Sequence, residues 1–169
     1  PIGNSRTSYS IPEGVSTIGL WAFLDCDGLT SVTIPESVTS IGHDAFDGCT
    51  GLTEIYSLNP VAPDIYSNTF ANVSKTIPVY IPKGSLSSYQ SAEYWSEFTN
   101  FVEIKEIYTI SVSSSDEGMG SATASETEVE EGATVTLTAT PKDGYKFTNW
   151  RLGGEVVSTD NPYQATITA

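Results

Sequence analysis

The residue types that catalysis relies on are scarce in this chain. Its 169 residues hold a single histidine, His43, and two cysteines, Cys26 and Cys49. There is no His-x-x-x-His, no Cys-x-x-Cys and no glycine-rich phosphate loop. Asp44 beside His43 invites a triad, yet no serine is placed to complete it and the position falls on a variable outer turn. No catalytic, cofactor-binding or metal-binding residue is therefore expected. Basic side chains are also few: Lys and Arg number 7 against 21 Asp and Glu, a net charge of -14. Such a field repels phosphate backbones and anionic lipid heads, which argues against nucleic acid and membrane surfaces as partners. No window is apolar for long enough to span a bilayer. No charged-then-apolar signal opens the chain, which starts at Pro1, so a mature or trimmed chain is expected and its missing signals carry no address. An acidic, Ser/Thr-rich, Lys-poor composition suits an extracellular protein.

What the chain has is a sentence written twice. IPEGVSTIGLWAFLDCDGLTSVT, starting at Ile11, is followed at once by IPESVTSIGHDAFDGCTGLTEIY, starting at Ile34. The matched positions are apolar or turn-forming: Ile11/Ile34, Pro12/Pro35, Val15/Val38, Ile18/Ile41, Gly19/Gly42, Ala22/Ala45, Phe23/Phe46, Cys26/Cys49, Gly28/Gly51 and Leu29/Leu52. A period in the twenties marks a solenoid, whose units bury their apolar faces only by stacking. Leu29-x-x-Val32-x-Ile34 alternates as a strand and Pro35 stops it. Val38, Ile41, Ala45, Phe46 and Cys49 then recur at threes and fours, which suits a short helix or a run of helical turns across the back. The strands should form a narrow parallel sheet with Val32 and Ile34 inward and Ser31 and Thr33 outward. Cys26 and Cys49 fall in neighbouring layers. They read as reduced, buried small hydrophobes, with a bridge left open only if both side chains turn inward.

The pattern from Leu29 to Cys49 resembles the BspA-type leucine-rich repeat of bacterial surface proteins, over roughly residues 8–106. The resemblance implies a right-handed α/β solenoid on a secreted or cell-surface protein that attaches to host proteins or other cells, and it implies no catalytic residue. Shifting by one period places Tyr9 on Val32, and either residues 1–7 fold back to cap this open end or upstream repeats have been cut away. Leu20, Trp21 and Leu24 stand where the second copy has His43, Asp44 and Asp47, so a cover over them is expected, either the N-terminal segment or a partner. Ile65, Phe70 and Val73 carry the third unit, and Val79 and Ile81 one more strand. Ser85 is the expected cap of a short helix with Leu86, Tyr89 and Tyr94 inward. Trp95, Phe98 and Phe101 follow as a lid.

A second module begins near Ile107. Strands are expected over 108–113, 133–140, 147–152 and 163–168, joined by turns at 114–120, Pro141–Gly144 and Gly153–Gly154, and no helix fits. Gly144-Tyr145-x-Phe147-x-x-Trp150, preceded by Glu131-Gly132-x-x-Val135-x-Leu137, resembles the divergent internalin B-type repeat. That family has a further strand, so the module is expected to stop short. The overall expectation is an α/β chain: a leucine-rich-repeat solenoid with a parallel sheet over 1–106, then a small all-β module over 107–169.

Two places could hold a ligand. Asp25, Asp27, Asp44 and Asp47 could gather around calcium, although turn acids are more often solvated or capping groups. The better candidate is the outer sheet face, where Ser31, Thr33 and Glu54 surround Tyr56 and Tyr80 as flat anchors for an extended peptide or a glycan. The expected role is a non-catalytic adhesion or protein-interaction module, with an extracellular host or bacterial surface protein as partner and no direct membrane insertion. The alternatives are a glycan-binding accessory region of a larger secreted enzyme and a structural stalk.

Overall fold

A strand pattern that returns every 23 residues can bury its apolar side only against its own next copy, and the chain does this from its first described residues. The computed structural model describes residues 7–168, which form two compact units, divided after Ile104. The first carries β1 (Ser8–Ser10), β2 (Thr17–Ile18), β3 (Ser31–Ile34), β4 (Ser40–Ile41), β5 (Glu54–Ser57), β6 (Val79–Ile81), the helix α1 (Leu86–Ser91) and β7 (Phe101–Glu103). The chain is mostly strand, and its parallel sheet has the order β1-β3-β5-β6-β7. Tyr9 pairs with Val32 in that register, as the period requires. A second, narrower parallel ladder joins Thr17 to Ser40 and Ile18 to Ile41 and reaches Asp64 through one further bridge.

The back of each layer is a run of single turns, the second of the two forms expected. Alternate amides close turns within the layer, from Ala22 to Gly19 O, Leu24 to Trp21 O and Cys26 to Phe23 O. The amides between them, of Trp21, Phe23 and Asp25, donate to His43, Ala45 and Asp47 of the next layer at 3.2, 2.7 and 2.8 Å. A continuous helix would keep these bonds within the layer, whereas here half of them bind one layer to the next. The chain turns by entering the left-handed region at Trp21, Asp25, Asp44, Gly48 and Asn72. Asp, Asn and Gly visit that region at little cost.

Inside, Phe23, Phe46 and Phe70 stack with centroids 4.8 and 5.0 Å apart and planes within 6° and 3°. The three rings share one interior, and Ile65 and Val73 of the third unit are buried with them. The closing segment covers the last layer: Trp95 and Phe98 pack on Phe70, and Trp95 Nε1 donates to Pro63 O at 2.8 Å. Tyr89 is fully buried, with its hydroxyl 2.8 Å from both Ser57 Oγ and Asn59 O. Three details differ from the sequence expectation. Leu86 is exposed, because α1 turns only its Tyr89 side to the core. Ser85 gives its hydroxyl to Pro82 O and makes no side-chain cap. Phe101 belongs to a fifth sheet strand, β7. Both thiols are free; Cys49 is buried and donates to Phe23 O at 3.1 Å, and Cys26 is partly buried. Any cap formed by residues 1–7 rests on residues 1–6, which lie outside those described.

One edge of the solenoid repeats by side chain as well as by backbone. Thr7, Thr30, Thr53, Thr76 and Thr99 recur every 23 residues. Thr30 Oγ1 donates to Thr7 O at 2.6 Å, Thr53 Oγ1 to Thr30 O at 3.0 Å, and Thr99 Oγ1 to Lys75 O at 3.3 Å.

The second unit holds β8 (Ile107–Thr109), β9 (Gly120–Ala124), β10 (Glu128–Glu130), β11 (Thr134–Pro141), β12 (Trp150–Leu152), β13 (Glu155–Ser158) and β14 (Tyr163–Thr166), and no helix among its described residues. All its pairings are antiparallel: β14-β11-β9 form one sheet, and β8 with β10 and β12 with β13 form two ribbons. Gly153 and Gly154 both have positive φ, 58° and 92°, which the tight turn between β12 and β13 requires. β9, β10 and β13 were not among the strands expected from the sequence, the strand expected over 108–113 ends at Thr109, and that expected over 147–152 begins only at Trp150. Of this unit's apolar side chains, Val129, Val135 and Trp150 are buried.

Candidate functional site

Alternation in β3 and β5 puts Val32, Ile34 and Ile55 inside and leaves Ser31, Thr33, Glu54 and Tyr56 half-buried on the outer face. The parallel register then aligns Ser8, Ser31 and Glu54 in one column and Ser10, Thr33, Tyr56, Tyr80 and Val102 in the next. All five residues singled out in the sequence therefore lie on one surface. Tyr56 and Tyr80 stack on each other with centroids 4.5 Å apart and planes within 13°. Neighbouring strands are about 4.8 Å apart, so two rings lying flat on the sheet would overlap. The rings stand on edge instead, and each uses one face on the other, which replaces the flat anchors expected from sequence. Toward Thr33 the Tyr56 ring forms a wall above a floor of small hydroxyls.

Tyr56 Oη approaches Glu54 Oε2 at 3.5 Å, the outer limit of a hydrogen bond. Partial burial first, then the Glu54 carboxylate and Tyr80, raise the Tyr56 hydroxyl above its ordinary pKa, so it remains a neutral donor at physiological pH. The face thus offers hydroxyl donors and acceptors, one carboxylate and aromatic surface. That is chemistry for recognition.

The outer turns make a second surface. Leu20, Trp21 and Leu24 are 52, 59 and 38% exposed, and no described segment covers them. The cover proposed for the N-terminal segment rests on residues outside those described. Trp21 Nε1 donates to Asp44 Oδ2 at 3.2 Å, and Asp47 Oδ1 accepts from Asn72 Nδ2 at 2.8 Å. Two of the four aspartates considered for calcium therefore serve as acceptors between layers. Among the described residues, no three His, Cys, Asp or Glu side chains gather as a metal site. His43 is exposed, stacked on Tyr66 at 3.8 Å with Nδ1 2.9 Å from Asn68 Oδ1. Sequence reasoning missed that pair, because aligning the third unit on Ile65 and Phe70, 24 residues after Ile41 and Phe46, sets Ser67 rather than Tyr66 opposite His43.

Residues 3–117, more than half of the chain, match the family model described as the BspA type leucine rich repeat region. The chain belongs to the BspA-type leucine-rich repeat family. Residues 108–169 match the divergent InlB B-repeat domain. The BspA-type match runs past Ile104, but β8 beyond it pairs antiparallel with β10, so the solenoid geometry has ended there. No curated protein matches the chain. BspA-type repeats and InlB-like B-repeats are typical of bacterial surface proteins and are typically non-catalytic, and together they suggest a repeat-containing interaction or surface module. Among the described residues no helix is long and apolar enough to cross a membrane.

Proposed function

We propose that this chain is a non-catalytic adhesion module of the bacterial cell surface. Its repeat body, residues 1–106, binds an extracellular host or bacterial surface protein on the outer sheet face, and residues 107–169 act as a spacer. The reading rests on one observation above all: an in-register tyrosine pair, Tyr56 on Tyr80, stands out of a face otherwise built from Ser31, Thr33 and Glu54. Rigid aromatic side chains supply large contact area at small entropic cost, which is why they dominate binding hot spots.

A second reading draws on the step beside Tyr56, where an aromatic wall meets a hydroxyl floor. That shape also suits a sugar ring, which would make the chain a glycan-binding accessory region. The test is binding of the chain to immobilised extracellular matrix proteins and, in parallel, to a glycan array, with the Tyr56→Ala/Tyr80→Ala variant beside it. Saturable protein binding that falls by about tenfold or more in the variant supports adhesion, each lost anchor being worth about 1–2 kcal/mol. Glycan signal alone supports the second reading. Silence in both leaves a structural stalk.

A further inference from the structure

The outer turns of the first two layers combine exposed apolar surface with charge of one sign. Leu20, Trp21 and Leu24 are exposed together, although the second layer fills the equivalent positions with His43, Asp44 and Asp47. A soluble surface rarely keeps three such side chains adjacent without a contact for them. Their ionisable neighbours in sequence are Asp25 and Asp27, and across the layer Asp44, bonded to the Trp21 indole, and Asp47, whose carbonyl takes the Asp25 amide. No lysine or arginine occurs between Arg6 and Lys75, while eight carboxylates do. Lys75 itself is committed, its Nζ donating to Phe70 O at 2.6 Å and lying 4.9 Å from the Phe98 ring. Residues 7–74 therefore hold no lysine or arginine that could neutralise the acidic rim.

From this apolar centre and acidic rim we infer a second interaction surface, separate from the sheet face, which docks a basic amphipathic segment of a protein partner. Leu20 and Leu24 receive the partner's apolar side chains, Trp21 offers its ring face to a lysine or arginine, and the aspartates hold the remaining cations. The apolar contact sets how long the complex lasts. The rim sets the rate of encounter and its salt dependence.

The probe is a fluorescein-labelled synthetic amphipathic peptide of leucine and lysine, titrated by anisotropy at low and physiological salt. Its leucine and glutamate counterpart is the control. The variant Leu20→His/Trp21→Asp/Leu24→Asp gives the first layer the second layer's residues. It preserves the turn, since Asp44 already takes the left-handed conformation that Trp21 adopts, φ 52° against 59°. It also makes the chain more negative by two charges, so plain charge attraction predicts tighter binding, whereas docking on the apolar centre predicts a loss of about tenfold or more. Saturable binding of the lysine peptide that weakens with salt and falls in the variant is the expected result. Equal or tighter binding by a folded variant overturns the proposal, as does equal binding of the glutamate peptide or no binding at all. If removing residues 1–6 tightens binding tenfold, the patch belongs to the chain's own N-terminal segment. If concentration-dependent self-association disappears in the variant, it belongs to a second copy, and either result overturns the choice of partner.

Discussion

The two units solve one problem, burying apolar surface with short strands, in opposite ways. In the repeats nearly every inward side chain has an equal in the neighbouring layer, and 21 of them join one core from Ile11 to Phe98. Among the described residues of the second unit, with its seven strands, the buried apolar side chains are Val129, Val135 and Trp150, and none repeats another. A translational core shares the loss of one member among its neighbours without removing the pattern. A core of three has no such reserve, because each member is a large part of the whole.

The largest test of that contrast is Phe46→Ala. Its ring lies between Phe23 and Phe70 and is fully buried. Its removal should lower the stability of the first unit by roughly 3–5 kcal/mol, the transfer loss together with the cavity it leaves. Chemical denaturation measures this, and alkylation of Cys49 reports it independently. Burial pushes that thiol up to about 12, so it reacts only when the layer opens. Cys49 in the variant should label faster, approaching the rate of partly buried Cys26. A loss below about 1 kcal/mol would mean that the ring stack is not the core.

Trp150→Ala is the counterpart in the second unit. The indole is buried and packs on Phe147 with ring centroids 5.2 Å apart, and its Nε1 donates to Asp160 O at 3.0 Å. The expected cost is about 3 kcal/mol, at the low end for such a deletion because the site is not fully enclosed. With so little else buried, this unit should lose its hydrogen-exchange protection while the amides of the repeats keep theirs. If both units lost protection together, their stabilities would not be independent.

How much of this could be read from the chain follows the same division. Where the sequence repeats, the period placed Tyr9 on Val32 and aligned Thr33 with Tyr56 and Phe23 with Phe46, while the Ile-to-Phe and Val-x-Ile spacings carried Phe70 and Tyr80, each 24 residues on, into the same register. Fixing one layer fixes the next. β2 and β4 escaped notice because Thr17–Ile18 and Ser40–Ile41 are two residues long and sit inside a spacing of threes and fours. β9 escaped because Gly120–Ala124 alternates only Gly and Ala with Ser and Thr, side chains too small to signal a buried face. At the sheet face the period assigned the residues but not their posture. Tyr56 and Tyr80 stand on edge because the strand spacing leaves no room for both to lie flat, a constraint visible only once the strands are paired. The threonine series is spaced at 23 residues and went unread, and its ladder changes at Thr76, whose hydroxyl pairs with Ser74 Oγ at 2.9 Å.

That series supplies the finest test. Thr53→Val keeps the side-chain volume and the β-branch, and it removes only the hydroxyl that donates to Thr30 O. The backbone bond between the same two residues, Thr53 N to Thr30 O at 2.9 Å, remains. An exposed hydrogen bond of this kind contributes about 0.5–1 kcal/mol. Thr30→Val removes the equivalent bond to Thr7 O one layer away, so it should cost the same amount. The double variant should show the sum, because each hydroxyl bonds a different carbonyl and neither depends on the other. Equal, additive values in urea titrations are what translational equivalence demands. Unequal costs would mean that the layers, though written alike, are not held alike. No such pair can be chosen in the second unit, where Thr136 and Gln164 bond each other and have no counterpart one period on.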